Sequence, residues 1–299
     1  MSHLALKRET NLRKLSLAVI SLAVISSTIY LLSEEDNHVR PTQGNTISVA
    51  SSFEFTTQNP AQHGYIYTRM GVLETLLNVD EAGQLQPGLA TDWVISEDGL
   101  HWTFTIRQNV KFHDGQVLTA KSAVQALENI LKNHGPLTEA PVSEVVAIDD
   151  QKFEILLTRP FSPLGAVLAN YTTGIASPDS YNEDGFVEKL AATGPYQVFD
   201  FEPPHKLVVE RFEEYWGNNA KIKFASYLTG HRSESRVLQS KSGQADIVFG
   251  LEPSSIPLLR DAKNVTLYSD PIPRTIAIKL NAGHKYLEDV RVRQALILL

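Results

Sequence analysis

The side chains able to do chemistry in this chain of 299 residues do not fall into any catalytic spacing. There is no Gly-x-Ser-x-Gly elbow to expose a nucleophilic serine and no His-Glu-x-x-His to set two zinc ligands on one helix face. Nor is there a phosphate-cradling P-loop or a Gly-x-Gly-x-x-Gly dinucleotide turn. His63, His101, His113 and His134 share no helix or strand at ligand spacing, and two of them stand at turns, where a lone histidine is ordinarily solvated. The paired acids Asp149-Asp150 and Glu213-Glu214 also lie in or beside turns, and solvation accounts for them. The absence of cysteine excludes disulfides and thiolate metal sites. The expectation is therefore no catalytic residue, no resident metal, no cofactor and no enzyme. A hydrolase is the rival from another class, and a peptide panel that was consumed rather than bound would reveal it.

The elements that position the remaining polar and aromatic groups are legible from period and punctuation. Trp102, Phe104 and Ile106 alternate with His101, Thr103 and Thr105, the two-residue period of a half-buried strand, and Asp98-Gly99 supplies the turn before it. A second turn follows at His113-Asp114-Gly115. Thr119 then reads as an N-cap, with Ala123, Val124, Leu127, Ile130 and Leu131 at helical spacing and Lys132 to Pro136 as the stop. Ile47 to Phe55 is strand-like, and a helix is expected through Tyr65, Tyr67, Met70, Val72, Leu73, Leu76 and Leu77. Residues 81–88, with Gly83, Pro87 and Gly88, read as a loop. Val142 to Ile148 and Phe153 to Leu157 form a hairpin around Asp149-Asp150-Gln151, and Leu164 to Leu168 is a short helix. Gly194 is expected to supply a backbone geometry closed to other residues, Pro195 to fix φ, and Tyr196 to open a strand. A strand at Leu207 to Phe212, a helix at Ser233 to Ser240 and an apolar run at Ala245 to Phe249 suit a helix returning to a sheet.

Taken in order, Leu89-Ala90, Trp93, Ser96-Glu97-Asp98-Gly99, Trp102-Thr103-Phe104, Val110-Lys111-Phe112-His113-Asp114-Gly115 and Thr119-Ala120 resemble the extracytoplasmic solute-binding proteins of peptide and nickel ABC transporters. The resemblance continues in Thr193-Gly194-Pro195-Tyr196, Tyr215-Trp216-Gly217, Gly243-Gln244-Ala245-Asp246-Ile247 and Asp289-Val290-Arg291-Val292-Arg293-Gln294-Ala295-Leu296. It implies an α/β (mixed α+β), periplasmic-binding-protein-like two-lobe fold of which mainly the first lobe is present. The implied division is an export signal or membrane anchor at 1–37, a linker at 38–45, the first lobe at 46–274 and the start of a second lobe, cut short, at 275–299. A strand at Thr275 to Leu280 and a helix from Glu288 to Leu299 belong to that last part.

The same resemblance makes the early strand-loop-helix unit face the ligand, so Phe55, Tyr65, Tyr67 and Arg69 are candidate ligand contacts by position. Tyr171, Thr172 and Thr173, in the polar loop Asn170 to Gly174, are the second candidate group. The implied partners are a small-molecule solute, a short peptide or a nickel or other metal chelate, and an ABC transporter permease. The expected form is a monomer, truncated and with doubtful solute delivery. A membrane-anchored interaction or sensing module without solute delivery is the alternative.

Composition agrees with a globular chain, hydrophobic to 42% and charged to 20%. A formal charge of −7, with no basic cluster beyond the N-terminus, argues against a nucleic-acid partner. Lys7, Arg8, Arg13 and Lys14 precede the uncharged, mostly apolar run Leu15 to Leu32, and Glu34, Glu35 and Asp36 follow it, which favours an N-in, C-out orientation. A cleaved export signal and an uncleaved anchor through residues 15–32 both fit this pattern, so the expected location is periplasmic or extracytoplasmic, with inner-membrane anchoring open.

Overall fold

The computed structural model describes residues 41–42, 44–260, 262–269 and 278–297. Its strands, in chain order, are β1 (Thr46–Ser51), β2 (Leu77–Val79), β3 (Leu85–Pro87), β4 (Ala90–Ile95), β5 (His101–Ile106), β6 (Val142–Ala147), β7 (Lys152–Leu157), β8 (Tyr196–Glu202), β9 (Lys206–Arg211), β10 (Phe224–Thr229) and β11 (Ile247–Val248). Its helices are α1 (Pro60–Arg69), α2 (Ala120–Leu131), α3 (Leu164–Leu168), α4 (Ser233–Ser242), α5 (Ile256–Arg260) and α6 (Val290–Ile297). The result is a mixed α/β fold with two cores.

The first core is built on the antiparallel sheet β4-β5-β7-β6. Its inward side chains are those the two-residue period selects. Trp102 and Phe104 are buried, and Phe104 stacks on Phe153 of β7 with ring centroids 5.1 Å apart. Helix α2 lays Ala123, Val124 and Leu127 on this sheet. Its N-terminus is closed by a capping box: Thr119 Oγ1 accepts from the Ser122 amide at 3.2 Å, and the Ser122 hydroxyl accepts from the Thr119 amide at 2.8 Å.

The second core lies under the mixed sheet β11-β1-β10-β9-β8. Here β1 runs parallel to both β10 and β11, while β10, β9 and β8 are antiparallel neighbours. Leu207, Val209, Ala225 and Tyr227 on one face of the sheet meet Phe55, Ile66 and Tyr67 from the α1 unit. No element is expected from the sequence at Phe224–Thr229, yet this segment is the sheet's central strand and its inner residues are buried. The chain therefore starts one sheet with β1, builds the other core, and returns.

Several expected elements shift. Strand β1 ends at Ser51 rather than Phe55. Helix α1 stops at Arg69, because Gly71 takes φ +69° and turns the chain. Val72 to Leu76 then runs between the two cores, and residues 77–87, which include part of the expected loop, form a small β2-β3 hairpin. The connection around Asp98-Gly99 spans Ser96–Leu100, longer than a two-residue turn, with Gly99 at φ +69°.

Gly194 is needed for a different reason from the one the sequence suggests. Its φ is not positive, but a Cβ there would stand 2.2 Å from the Gly71 carbonyl oxygen and 2.6 Å from that of Val72. Close backbone approach, not a left-handed conformation, fixes glycine at this position. Ile278 to Leu280 carry no strand, and the rest of the strand expected at Thr275–Leu280 lies outside the described residues. The apolar run Leu15–Leu32 also lies outside them, and among the described residues no helix is long and apolar enough to cross a membrane.

Candidate functional site

Three parallel strands, β11, β1 and β10, end side by side, so the loops that follow them converge at one edge of the sheet. In open α/β sheets this carboxyl edge, where neighbouring connections diverge, is where ligands bind. The loop after β1 carries Phe53, which is 49% exposed despite its size, and Glu54. The loop after β10 carries His231, whose Nδ1 lies 2.7 Å from a Glu54 carboxylate oxygen. Phe53 is held at its backbone, where the Tyr227 hydroxyl donates to its carbonyl at 2.7 Å.

Helix α1 brings the next set. Asn59 caps it, accepting from the Ala61 amide, and Pro60 occupies the first turn. Tyr65 and Arg69 lie one turn apart on the same face. The Tyr65 ring sits 4.6 Å from Phe53 and 5.8 Å from Tyr171, and the Arg69 guanidinium lies 5.2 Å from its centroid. This aromatic-cation run borders a cleft of about 730 Å³ lined in part by Thr68, Glu74, Asn78, Tyr215 and Trp216. A space of that size suits a small ligand.

Of the residues expected at the ligand, Tyr65, Arg69 and Tyr171 are brought together at this cleft. Thr172 is partly buried, its hydroxyl and amide both donating to Asn170 Oδ1. The other three are core residues. Phe55 is 0% exposed between Phe201 and Tyr227, and Tyr67 is buried with its hydroxyl donating to the Thr57 carbonyl. Thr173 is buried as well, its hydroxyl donating to the carbonyls of Val167 and Asn170. The strand has ended at Ser51, so the two-residue period that would put Phe53 and Phe55 on one face no longer applies, and only Phe53 reaches the surface. Phe53, Glu54 and His231 are absent from the sequence-derived set, and an exposed aromatic just past a strand end was the available signal.

Gly64 sets how α1 meets the Tyr171 loop. A Cβ there would fall 2.3 Å from the Tyr171 carbonyl oxygen, which is a backbone atom with nowhere to yield. Gly64→Ala is expected to push Tyr171 off the Tyr65 ring at a stability cost of about 2 kcal/mol, in the range of overpacking. Urea denaturation checks the cost.

On the wall of the cleft, Glu74 ties the cores together. Its carboxylate accepts from Thr193 Oγ1 at 2.7 Å, the Tyr215 hydroxyl at 2.9 Å and Trp216 Nε1 at 3.0 Å. Arg107, which donates to the Gly88 carbonyl, lies 4.3 Å over the Trp216 ring. Burial holds the Glu74 carboxyl above its usual range, and the three hydrogen bonds and Arg107 pull it back only in part. Its hydroxyl partner Tyr215 is pushed up by burial and by the Glu74 charge. Among the described residues no three acidic or histidine side chains converge as metal ligands.

Residues 84–299 match the family model of bacterial extracellular solute-binding proteins, family 5 middle. The chain is a family 5 solute-binding protein. This family 5 chain is 30% identical over 217 residues to a probable D,D-dipeptide-binding periplasmic protein of Escherichia coli (strain K12), covering 70% of this chain and 42% of that one. A glutathione-binding protein of Salmonella typhi is 28% identical over 264 residues, covering 84% and 51%. Among solved structures, a nickel ABC transporter protein of Bacillus halodurans superposes with a TM-score of 0.72 at 29% identity, covering 85% of this chain and 53% of that one. A Campylobacter jejuni protein solved with Ni(L-His) gives a TM-score of 0.77 at 22% identity, again over 85% and 53%, and so attests the fold alone. Both curated relatives are named for the solute they bind, and the family 5 chain spans about half the length of those it matches.

Proposed function

We propose that this chain supplies the first lobe of an extracytoplasmic solute-binding component of an ABC importer, residues 46–274 forming that lobe and 275–299 opening a second. The observation that carries this reading is the run of Tyr65, Tyr171 and Arg69 on the wall of the cleft, with the half-exposed Phe53 packed beside Tyr65 in the loop after β1. Large rings left at a surface beside a cation mark a ligand-facing wall. The solute class is short peptides or metal chelates, delivered in the periplasm to a membrane permease. In proteins of this kind a ligand favours the closed state by touching both lobes. One lobe alone therefore holds its solute weakly, and delivery requires the second.

The test is thermal unfolding of the full chain with and without a panel of short peptides, glutathione and nickel-histidine. At a concentration about 100-fold over Kd, a true ligand adds about 2.7 kcal/mol. A shift for one class and none for the others names the solute. No shift with any of them at millimolar concentration counts against solute binding by this lobe.

A further inference from the structure

We infer that Tyr215 and Trp216 form a second solute-contacting pair in the cleft, one that takes an apolar or planar part of the ligand, with Glu74 as the positioning residue that sets both rings. The inference rests on the proposed solute-binding role and goes further by assigning contacts, and a support for them, that lie outside α1 and the Tyr171 loop. Two pairs of rings line the cleft. Tyr65 and Tyr171 are one pair, with centroids 5.8 Å apart, and Tyr215 and Trp216 are the other, 5.2 Å apart. Among the described residues no ring contact joins one pair to the other, so a ligand that fills the cleft meets both. Half-buried aromatic faces at a cavity wall are the surfaces on which apolar and planar groups bind.

Both rings of the second pair are held at their polar tips by one carboxylate. The Tyr215 hydroxyl donates to Glu74 Oε1 at 2.9 Å, and Trp216 Nε1 donates to Oε2 at 3.0 Å. Arg107 lies 4.3 Å over the Trp216 ring while it donates to the carbonyl of Gly88, another lining residue, at 3.1 Å. The indole is therefore fixed by a hydrogen bond at its edge and a cation over its face. Rings anchored in this way have little rotamer freedom left to lose when a ligand arrives, which is the advantage of a preorganised contact. Thr193 supplies the internal comparison. Its hydroxyl donates to the same Oε2 at 2.7 Å, yet it is fully buried and does not line the cleft.

The experiment follows the indole N–H signals of Trp93, Trp102 and Trp216 by NMR of the isotope-labelled full chain, titrated separately with Ala-Phe-Ala, glutathione and nickel-histidine. A probe that binds is expected to move the Trp216 signal, identified by its loss in Trp216→Phe, and to leave those of Trp93 and Trp102, which belong to the first core and do not line the cleft, in place. Trp216→Phe should weaken that probe about tenfold, and Tyr215→Phe, which keeps the ring and loses its tie to Glu74, about fivefold. Thr193→Val removes a bond to the same oxygen away from the cleft and should stay within about twofold of wild type. Glu74→Gln should stay within about threefold, because the amide oxygen still accepts from Trp216 Nε1 and the amide nitrogen donates to the Tyr215 hydroxyl. If amides of residues 64–69 move while the Trp216 indole does not, or if Thr193→Val weakens binding as much as Trp216→Phe, the second pair is wrongly assigned while solute binding stands. If Tyr215→Phe binds as tightly as wild type, Glu74 does not position the pair. If no probe moves any signal, the solute-binding reading falls and this assignment with it.

Discussion

Replacing Glu74 by alanine is expected to destabilise the chain by about 3–5 kcal/mol, the loss seen when one partner of a buried charged network is removed. The carboxylate is the shared acceptor of Thr193, Tyr215 and Trp216, and it stands beside Arg107. Those donors come from two stretches of chain, Thr193 and Tyr215-Trp216, both distant from Glu74, so truncation strands three donors and a guanidinium between the two cores. Against a typical total stability of about 5–15 kcal/mol, that is a large share. Glu74→Gln should cost about half as much. Burial opposes the charge at this position, so losing the charge matters less than losing the acceptor oxygens. Urea midpoints of the two variants check both the size and the order. A loss below about 1 kcal/mol for alanine would mean that the cores are held together elsewhere.

The second large effect is a dependence on pH through His113. The sequence suggests a solvated turn histidine, but the ring is locked against the Ala192-Thr193-Gly194 segment. Its Nδ1 accepts from the Ala192 amide at 3.1 Å, which places the proton on Nε2 to donate to the Gly194 carbonyl at 3.0 Å. Phe212 closes it edge-on, with centroids 5.0 Å apart. Burial lowers its pKa from 6.5 to about 4, outweighing the pull of the Gly194 carbonyl and Asp114 in the other direction. Between those values the unfolded chain takes up a proton that the folded chain refuses. The neutral ring's contribution is therefore complete above pH about 6.5 and is lost as pH falls toward 4, reaching about 3 kcal/mol. His113→Gln has no such titration. The stability gap between wild type and this variant should narrow by about 2–3 kcal/mol between pH 7.5 and 4.5. A gap that stays constant over that interval would show that the ring is solvated after all.

These two residues also explain how far the sequence could be read. The strands β5 and β7 and the helix α2 were legible because each has one wet face and one dry one, so period alone identifies them. Strand β10 was not. Buried at its first four residues, Phe224 to Tyr227, it shows no alternation of polar and apolar character. The family resemblance located the Val110–Gly115 and Thr193–Tyr196 motifs without showing that they dock on one another through His113, since nothing local in either segment records its partner. Glu74 likewise looks like one acid in an apolar stretch until three distant donors meet it.

For the site, position on the chain was enough to select Tyr65, Arg69 and Tyr171, but not to separate Phe53 from Phe55. That distinction depends on where β1 ends. A strand continued to Phe55 would put both rings on one face; because it ends at Ser51, Phe53 packs against Tyr65 at the surface while Phe55 is buried.

The central claim is that solute meets the chain at the carboxyl edge of the five-stranded sheet, and amide hydrogen exchange of the full chain with a saturating ligand from the panel tests it most directly. The account predicts added protection confined to residues 53–54, 64–69, 171–172 and 230–231. Protection appearing instead at the cavity on the opposite face of the sheet, around Thr46, Ser48, Lys206 and Gln244, would contradict it.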